Sequence, residues 1–315
     1  MKKTIISCAL AMFAIVGLVT ACSQQEASPV SYAPADADLI AYINGKKLSA
    51  NKVGQAIKAR EDAKTEIAEA EKKCGFKVDD VLNSEIAVFI NTKTIEGDKT
   101  PAMSIIGRFE ESVDLPGKLF ECAKKNGKNT KELTIDGKKA ITDEKGEFAL
   151  IELSKSTLQF SAKQGDKPFG ALKPGAGTEL TKSIDTGALI SIAYKVSDEA
   201  RKQLKETLPM IPEDVAFVTL NVRERQENID AEIVVTFEKE ESAKVLESFL
   251  ITIRETYKSQ IEDPAAKKQL EGVKVVCNGN KIVVSASATA DEIVALINDQ
   301  AKPAAPAKTA APAAK

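Results

Sequence analysis

Histidine and tryptophan are both absent from the 315 residues, and aromatics of all kinds make up 5%. The first absence removes Ser-His-Asp and Cys-His catalysis and the commonest zinc ligand. The second leaves few flat side chains on which bases or sugars could stack. Cysteines number five and never stand as C-x-x-C, so neither a zinc ribbon nor a dithiol redox motif is suggested. An excess of one charge is missing too, with 44 basic residues facing 46 acidic ones. A nucleic-acid partner would call for a clustered basic face, which this balance does not offer. Nor does the chain carry the Gly-Lys-Ser/Thr ending of a phosphate loop or the D-x-D-x-D-G spacing of a calcium loop. No metal, cofactor or catalytic residue is expected from these patterns.

What is present begins at the N-terminus. Lys2 and Lys3 precede an apolar run from Ile5 to Ala21, and a cysteine, Cys22, stands where the chain turns polar. This is the layout of a secretory signal, which is cleaved and plays no part in the fold. An uncleaved membrane span would need about 20 apolar residues and usually a charged flank beyond them. Val19-Thr20-Ala21-Cys22 resembles the lipobox of bacterial lipoprotein precursors, with Val where Leu is commoner. The resemblance implies cleavage between Ala21 and Cys22, a diacylglycerol on the Cys22 sulfur and an acylated new amino group. Several buried acyl chains hold a protein far more firmly than one. In lipoprotein sorting of two-membrane bacteria, Ser23 rather than Asp after that cysteine implies the outer membrane. Loss of Lys2 and Lys3 leaves 42 basic residues (44 less two) against 46 acidic, a net of about −4.

Cys74, Cys122 and Cys277 remain in the mature chain. An oxidising compartment permits one pair, Cys74 with Cys122, and one thiol left over. The alternative is three buried cysteines acting as small hydrophobes.

Hydrophobic residues at 43% and charged residues at 29% describe a globular body. Its first half reads strand (38–44), helix (48–74), strands 85–91 and 102–109, helix 114–125, then four short strands to 162. Asn44-Gly45 reads as a turn. The second half repeats the order: strand 187–194, a helix from Ser197 or Asp198, strands 214–222 and 229–237, and a long helix. On that helix Val245, Phe249, Ile253, Tyr257 and Ile261 recur at four-residue steps, with Leu246 and Leu250 beside them. A hairpin and a last helix opened by a Thr289–Glu292 capping box close it. Phe109 and Phe237 stand at matching places. The expected fold is α+β, a tandem duplication of a ferredoxin-like (βαββαβ-type) unit with antiparallel sheets and extra hairpin strands. The body is also similar to secreted bacterial α+β repeat proteins of unknown function.

The expected organisation is a signal peptide (1–21), a lipidated tether (22–34) and a first α+β repeat (35–165). A linker (166–186), a second repeat (187–300) and a disordered Ala/Pro/Lys tail (301–315) follow. The tail's Lys302, Lys308 and Lys315 could rest on an envelope polyanion such as peptidoglycan or lipopolysaccharide; otherwise the tail is only solvated. Ser49 and Lys52 match S-x-x-K without the companion motifs of penicillin-binding enzymes, so Ser49 reads as a helix cap. Acidic pairs such as Asp79-Asp80 and Glu240-Glu241 read as helix starts. The functional expectation is a lipid-anchored, non-enzymatic binding, adaptor or structural module with a membrane contact and a protein partner of unknown identity. The competing class is a His-free hydrolase using carboxylates or a Ser/Lys pair in a cleft between the two repeats. Converging acidic groups there would favour the enzyme, and a flat exposed apolar patch the interaction module.

Overall fold

The computed structural model describes residues 27–92, 102–126, 130–162, 169–175 and 177–300. The signal segment, Cys22 and the tail lysines therefore lie outside the described residues.

Short apolar runs bounded by turn residues give strands, and the first half supplies seven of them. They are β1 (Leu39–Asn44), β2 (Glu85–Asn91), β3 (Ala102–Arg108), β4 (Lys131–Ile135), β5 (Lys138–Thr142), β6 (Phe148–Glu152) and β7 (Thr157–Ala162). Between β1 and β2 lie α1 (Gly45–Ala50), α2 (Lys52–Ala59), α3 (Glu61–Cys74) and α4 (Val78–Leu82), and after β3 comes α5 (Leu115–Asn126). The second half opens with α6 (Glu179–Lys182), β8 (Ile190–Lys195) and α7 (Asp198–Thr207). It continues with β9 (Val215–Arg225), β10 (Asn228–Phe237), α8 (Glu240–Gln260), α9 (Pro264–Glu271), β11 (Lys274–Asn278), β12 (Lys281–Thr289) and α10 (Ala290–Gln300).

All twelve strands join one antiparallel sheet in the order β11-β12-β10-β9-β8-β1-β2-β3-β7-β6-β5-β4. The α+β class, the antiparallel pairing and the added hairpins are as the sequence led us to expect. The winding is not ferredoxin-like. In a split βαβ unit, helices cross over between parallel strands. Here β1 and β2 are antiparallel neighbours although four helices separate them in sequence. The reason is local: α1 to α4 return the chain to the end of the sheet it left, where Gly45 N–H donates to Ser84 O at 2.8 Å. A Cβ on Gly45 would lie 2.2 Å from Leu82 O, so only glycine lets the outgoing and incoming chains touch. Asn44-Gly45 is thus a helix start rather than a turn, with Asn44 Oδ1 accepting from Lys47 N.

Read outward from the central β1–β8 pair, each half has the order first, second, third, then a returning strand. In one half these are β1-β2-β3-β7, in the other β8-β9-β10-β12. Phe109 N–H donates to Ser156 O, just before β7, and Phe237 N–H to Asn280 O, just before β12. The two phenylalanines occupy the same place in the two windings.

Strand alternation gives the sheet two faces. Helices α5, α7 and α8 stand on one, the helix face. On the other, a 3-10 turn at Pro29–Tyr32, the stretch 169–172 and α6 cover Ile40, Tyr42, Ala87, Phe89 and Ile106. Leu180 and Ile184 belong to that core. The segment 166–186, expected to be a linker, therefore helps to close the first core where it is described.

Two helical expectations are also corrected. The single helix read over 48–74 is three helices, because Asn51 and Arg60 are extended at ψ 148 and 143. Asn51, not Ser49, caps the second of them, its Oδ1 accepting from Val53 N at 2.7 Å. On α8 the core is met by Ala243 and Leu246 with Phe249 and Leu250, while Val245 and Tyr257 are exposed at 55% and 58%. Four-residue steps drift by about 40° each around a helix, so a column of them cannot stay on one face for five positions.

Candidate functional site

Ser49 Oγ lies 2.7 Å from Asn83 Oδ1 and donates to Lys46 O, whereas the Lys52 ammonium reaches Asp291 at 3.4 Å. Each member of the S-x-x-K pair is engaged elsewhere. Asp79 pairs with Lys58 at 2.7 Å, and Glu240 and Glu241 lie in the first turn of α8. Cys74 at the end of α3 is joined to Cys122 of α5 by a disulfide, and Cys277 is a free, half-buried thiol.

A cavity of about 1010 Å³ opens at the end of the β1–β8 pair where β1 begins. Carboxylates do line it, but Asp38 is committed: its Oδ1 accepts from Thr92 N at 2.7 Å and its Oδ2 from Thr92 Oγ1 at 2.6 Å. Asp36 accepts from Asn91 at 3.2 Å. Asp198 and Glu199 begin α7, whose cap is Ser197, accepting from Ala200 N. Arg201 pairs with Glu238 through Nη1 at 2.9 Å, while its buried Nε has no hydrogen-bond partner among the described residues. At the opposite strand end, Arg108 and Glu85 form a half-buried pair at 2.6 Å beside the Tyr42 hydroxyl. Burial first, and the Glu85 carboxylate second, push Tyr42 up to about 12. Arg223 donates to Asp185 at 2.6 Å and holds its carboxyl below the usual range, tying the chain entering β8 to β9.

The feature the sequence did not reveal is the middle of the helix face. The register places Ile233, Leu220, Ile192, Ala41, Val88, Ile105 and Phe160 in one row across seven adjacent strands. A second row runs Tyr194, Leu39, Ile90, Met103 and Ala162, and a third runs Val222, Ile190, Ile43, Ile86 and Gly107. From β9 to β7 these rows carry aliphatic side chains almost throughout, half-buried except at Gly107, which is buried against the Phe109 ring. Apart from Tyr194, none of them belongs to or packs against the three buried cores. At the edges Ile233 is 41% and Phe148 45% exposed, the latter stacked on Phe160.

The helices stand to either side of this stripe. On one flank α5 seats Phe120 over Ile141 and Leu158; on the other α7 and α8 cover Phe237, Ile282, Val218 and Val284. A helix is about 10 Å across, so the stripe is the floor of a groove recessed by roughly that depth. Five strand spacings of about 4.8 Å separate β9 from β7, which sets the floor near 24 Å wide. Helix α2 meets α10, and α3 meets α5.

No protein-family model matches the chain, and no curated protein does. Among solved structures it is similar to three crystal forms of TP0453, each at 9% identity. Form IV gives a TM-score of 0.48 over 86% of this chain and 96% of that one. Form III gives 0.47 over 88% and 100%, and form I gives 0.46 over 88% and 99%.

The strands of the floor read in sequence as buried on both faces, since "LIAYIN", "EIAVFIN" and "ISIAYK" show little alternation. A usable signal was the number of apolar strand faces against the few amphipathic helices available to cover them.

Proposed function

We propose that this is a lipid-anchored protein of the bacterial envelope, held by Cys22 to the outer membrane, that acts as a non-enzymatic binding module. The observation that carries this reading is the apolar stripe on the helix face. Contiguous apolar surface of this extent on a soluble body marks an interaction site. The Val19–Cys22 lipobox supports the anchor. The tail lysines Lys302, Lys308 and Lys315 would add a weak contact to an envelope polyanion, reduced as salt rises.

Two measurements test it. Replacing Cys22 with Ala is expected to abolish palmitate labelling and to leave unprocessed precursor, and equal labelling of the variant would remove the anchor. An apolar dye that fluoresces on burial is expected to bind the chain from Ser23 to Lys315. Binding should fall several-fold in Ile105→Glu, which places a charge in the middle of the floor. Dye binding unchanged by that substitution would remove the stripe as the binding surface.

A further inference from the structure

We propose that the groove holds the acyl chains of a single phospholipid with a zwitterionic headgroup, lifted from the membrane, and that the headgroup lies in the cavity at the Tyr194 end. The inference rests on the binding-module reading and names its ligand.

The floor selects the class. Protein partners contribute backbone and polar groups that lose hydrogen bonds on burial unless matched, and hot spots on such interfaces favour Trp, Tyr and Arg. From β9 to β7 the floor offers aliphatic side chains and Phe160, with Tyr194 alone at its lip. An acyl chain asks for no hydrogen bond, and each methylene it buries contributes about 0.8 kcal/mol.

Depth selects a single molecule over a surface. With α5 on one flank and α7 and α8 on the other, a flat bilayer or a second copy of this chain would rest on the helices. Neither would reach the floor about 10 Å below. A thin flexible chain can.

The cavity selects the headgroup. Tyr194 lines it and also stands opposite Leu39 in the second row, so the cavity adjoins the floor at that residue. Both charge signs meet there: Arg201 and Lys195 beside Asp198, Glu199 and Asp36. A phosphate would meet the cations of Arg201 and Lys195 in the cavity wall. An ammonium group would answer the carboxylates. A purely anionic headgroup would leave those acids facing negative charge.

The test uses the chain from Ser23 to Lys315 mixed with vesicles of phosphatidylethanolamine and phosphatidylglycerol in equal parts. The protein is then separated from the vesicles, and its lipid is extracted and quantified. Phosphatidylethanolamine is expected at a stoichiometric level, enriched several-fold over phosphatidylglycerol. Arg201→Gln should erase that preference while the chain still carries lipid. Ile105→Glu should lower retained lipid by about tenfold or more. If that variant does not fold, a phosphatidylethanolamine with a photoactivatable group near its acyl terminus decides on the wild type. Cross-links on peptides of β1, β2, β3 or β8 support the proposal, and cross-links confined to the outer surfaces of the helices overturn it. Retention of phosphatidylglycerol alone overturns the headgroup assignment. Dye binding that is sensitive to Ile105→Glu, with no lipid retained, overturns the ligand but leaves the binding module. Loss of both overturns the two together.

Discussion

Tyr42 is almost fully buried beneath the coil-covered face, next to the Glu85–Arg108 pair. Its hydroxyl is held neutral by burial and by the Glu85 carboxylate, pushed from 10.0 to about 12. The folded state thus keeps a proton that the unfolded chain releases near pH 10. The associated stability is whole below that pH and is lost as pH rises toward 12. Tyr42→Phe removes the ionisation but keeps the ring. Denaturant midpoints of wild type and variant, compared at pH 8 and pH 11, are expected to fall less steeply with pH in the variant. Parallel falls would mean that Tyr42 does not titrate in this window. In the sequence, Tyr42 read only as one more residue of an apolar strand. Its partner Glu85 lies 43 positions away on β2 (85 less 42), and nothing local announces that they meet.

Helix ends were the most legible elements, because their chemistry is local. Ser197 caps α7, and Thr289 and Glu292 form the reciprocal box, Thr289 N donating to Glu292 Oε2 and Glu292 N to Thr289 Oγ1. Strand limits were legible for a similar reason, since Asp136-Gly137 and Asn278-Gly279-Asn280 turn the chain within a few residues. Pairing was not legible. The return of α1 to α4 to the end of β1 depends on Gly45 meeting Leu82 and Ser84, a contact made in space. The disulfide stands between these cases: the sequence allowed a Cys74–Cys122 pair beside the alternative of three buried thiols, and the packing of α3 against α5 decides between them. It closes a separation of 48 residues between α3 and α5. A loop of that size gives on the order of 2–4 kcal/mol by restricting the unfolded chain. Cys122→Ser, or reduction of the wild type, is expected to lower the thermal midpoint by several degrees. An unchanged midpoint would mean that α3 is held equally well by packing alone.

At the scale of the molecule the two halves are not beads on a string. The β1–β8 ladder makes one sheet of them, and Ala193 of β8 belongs to the same core as Ile40 of β1. A groove whose floor crosses from β9 to β7 needs both halves, so neither alone carries the site. That continuity was hidden from the sequence, where the Gly- and Pro-rich stretch after 165 looks like a boundary between independent units.

The central ladder also has the form of a homodimer seam turned inward. Two copies of a half-length ancestor, each offering its first strand edge to the other around a two-fold axis, would make an isologous sheet of this kind. Fusion of the copies would then leave β1 against β8 as the scar of that contact. A chain cut after Thr186 keeps Leu180 and Ile184 for its core but bares the edge of β1, and a bared edge is a template for another strand. Such a half is expected to run as a dimer in light scattering at micromolar concentration, and to return to monomer with Ile40→Pro. That change removes a donor from the bared edge, since the even-numbered residues of β1 face β8, as Asn44 N does toward Leu189 O. A monomeric half would place the duplication, if there was one, in chains that met only after they were joined.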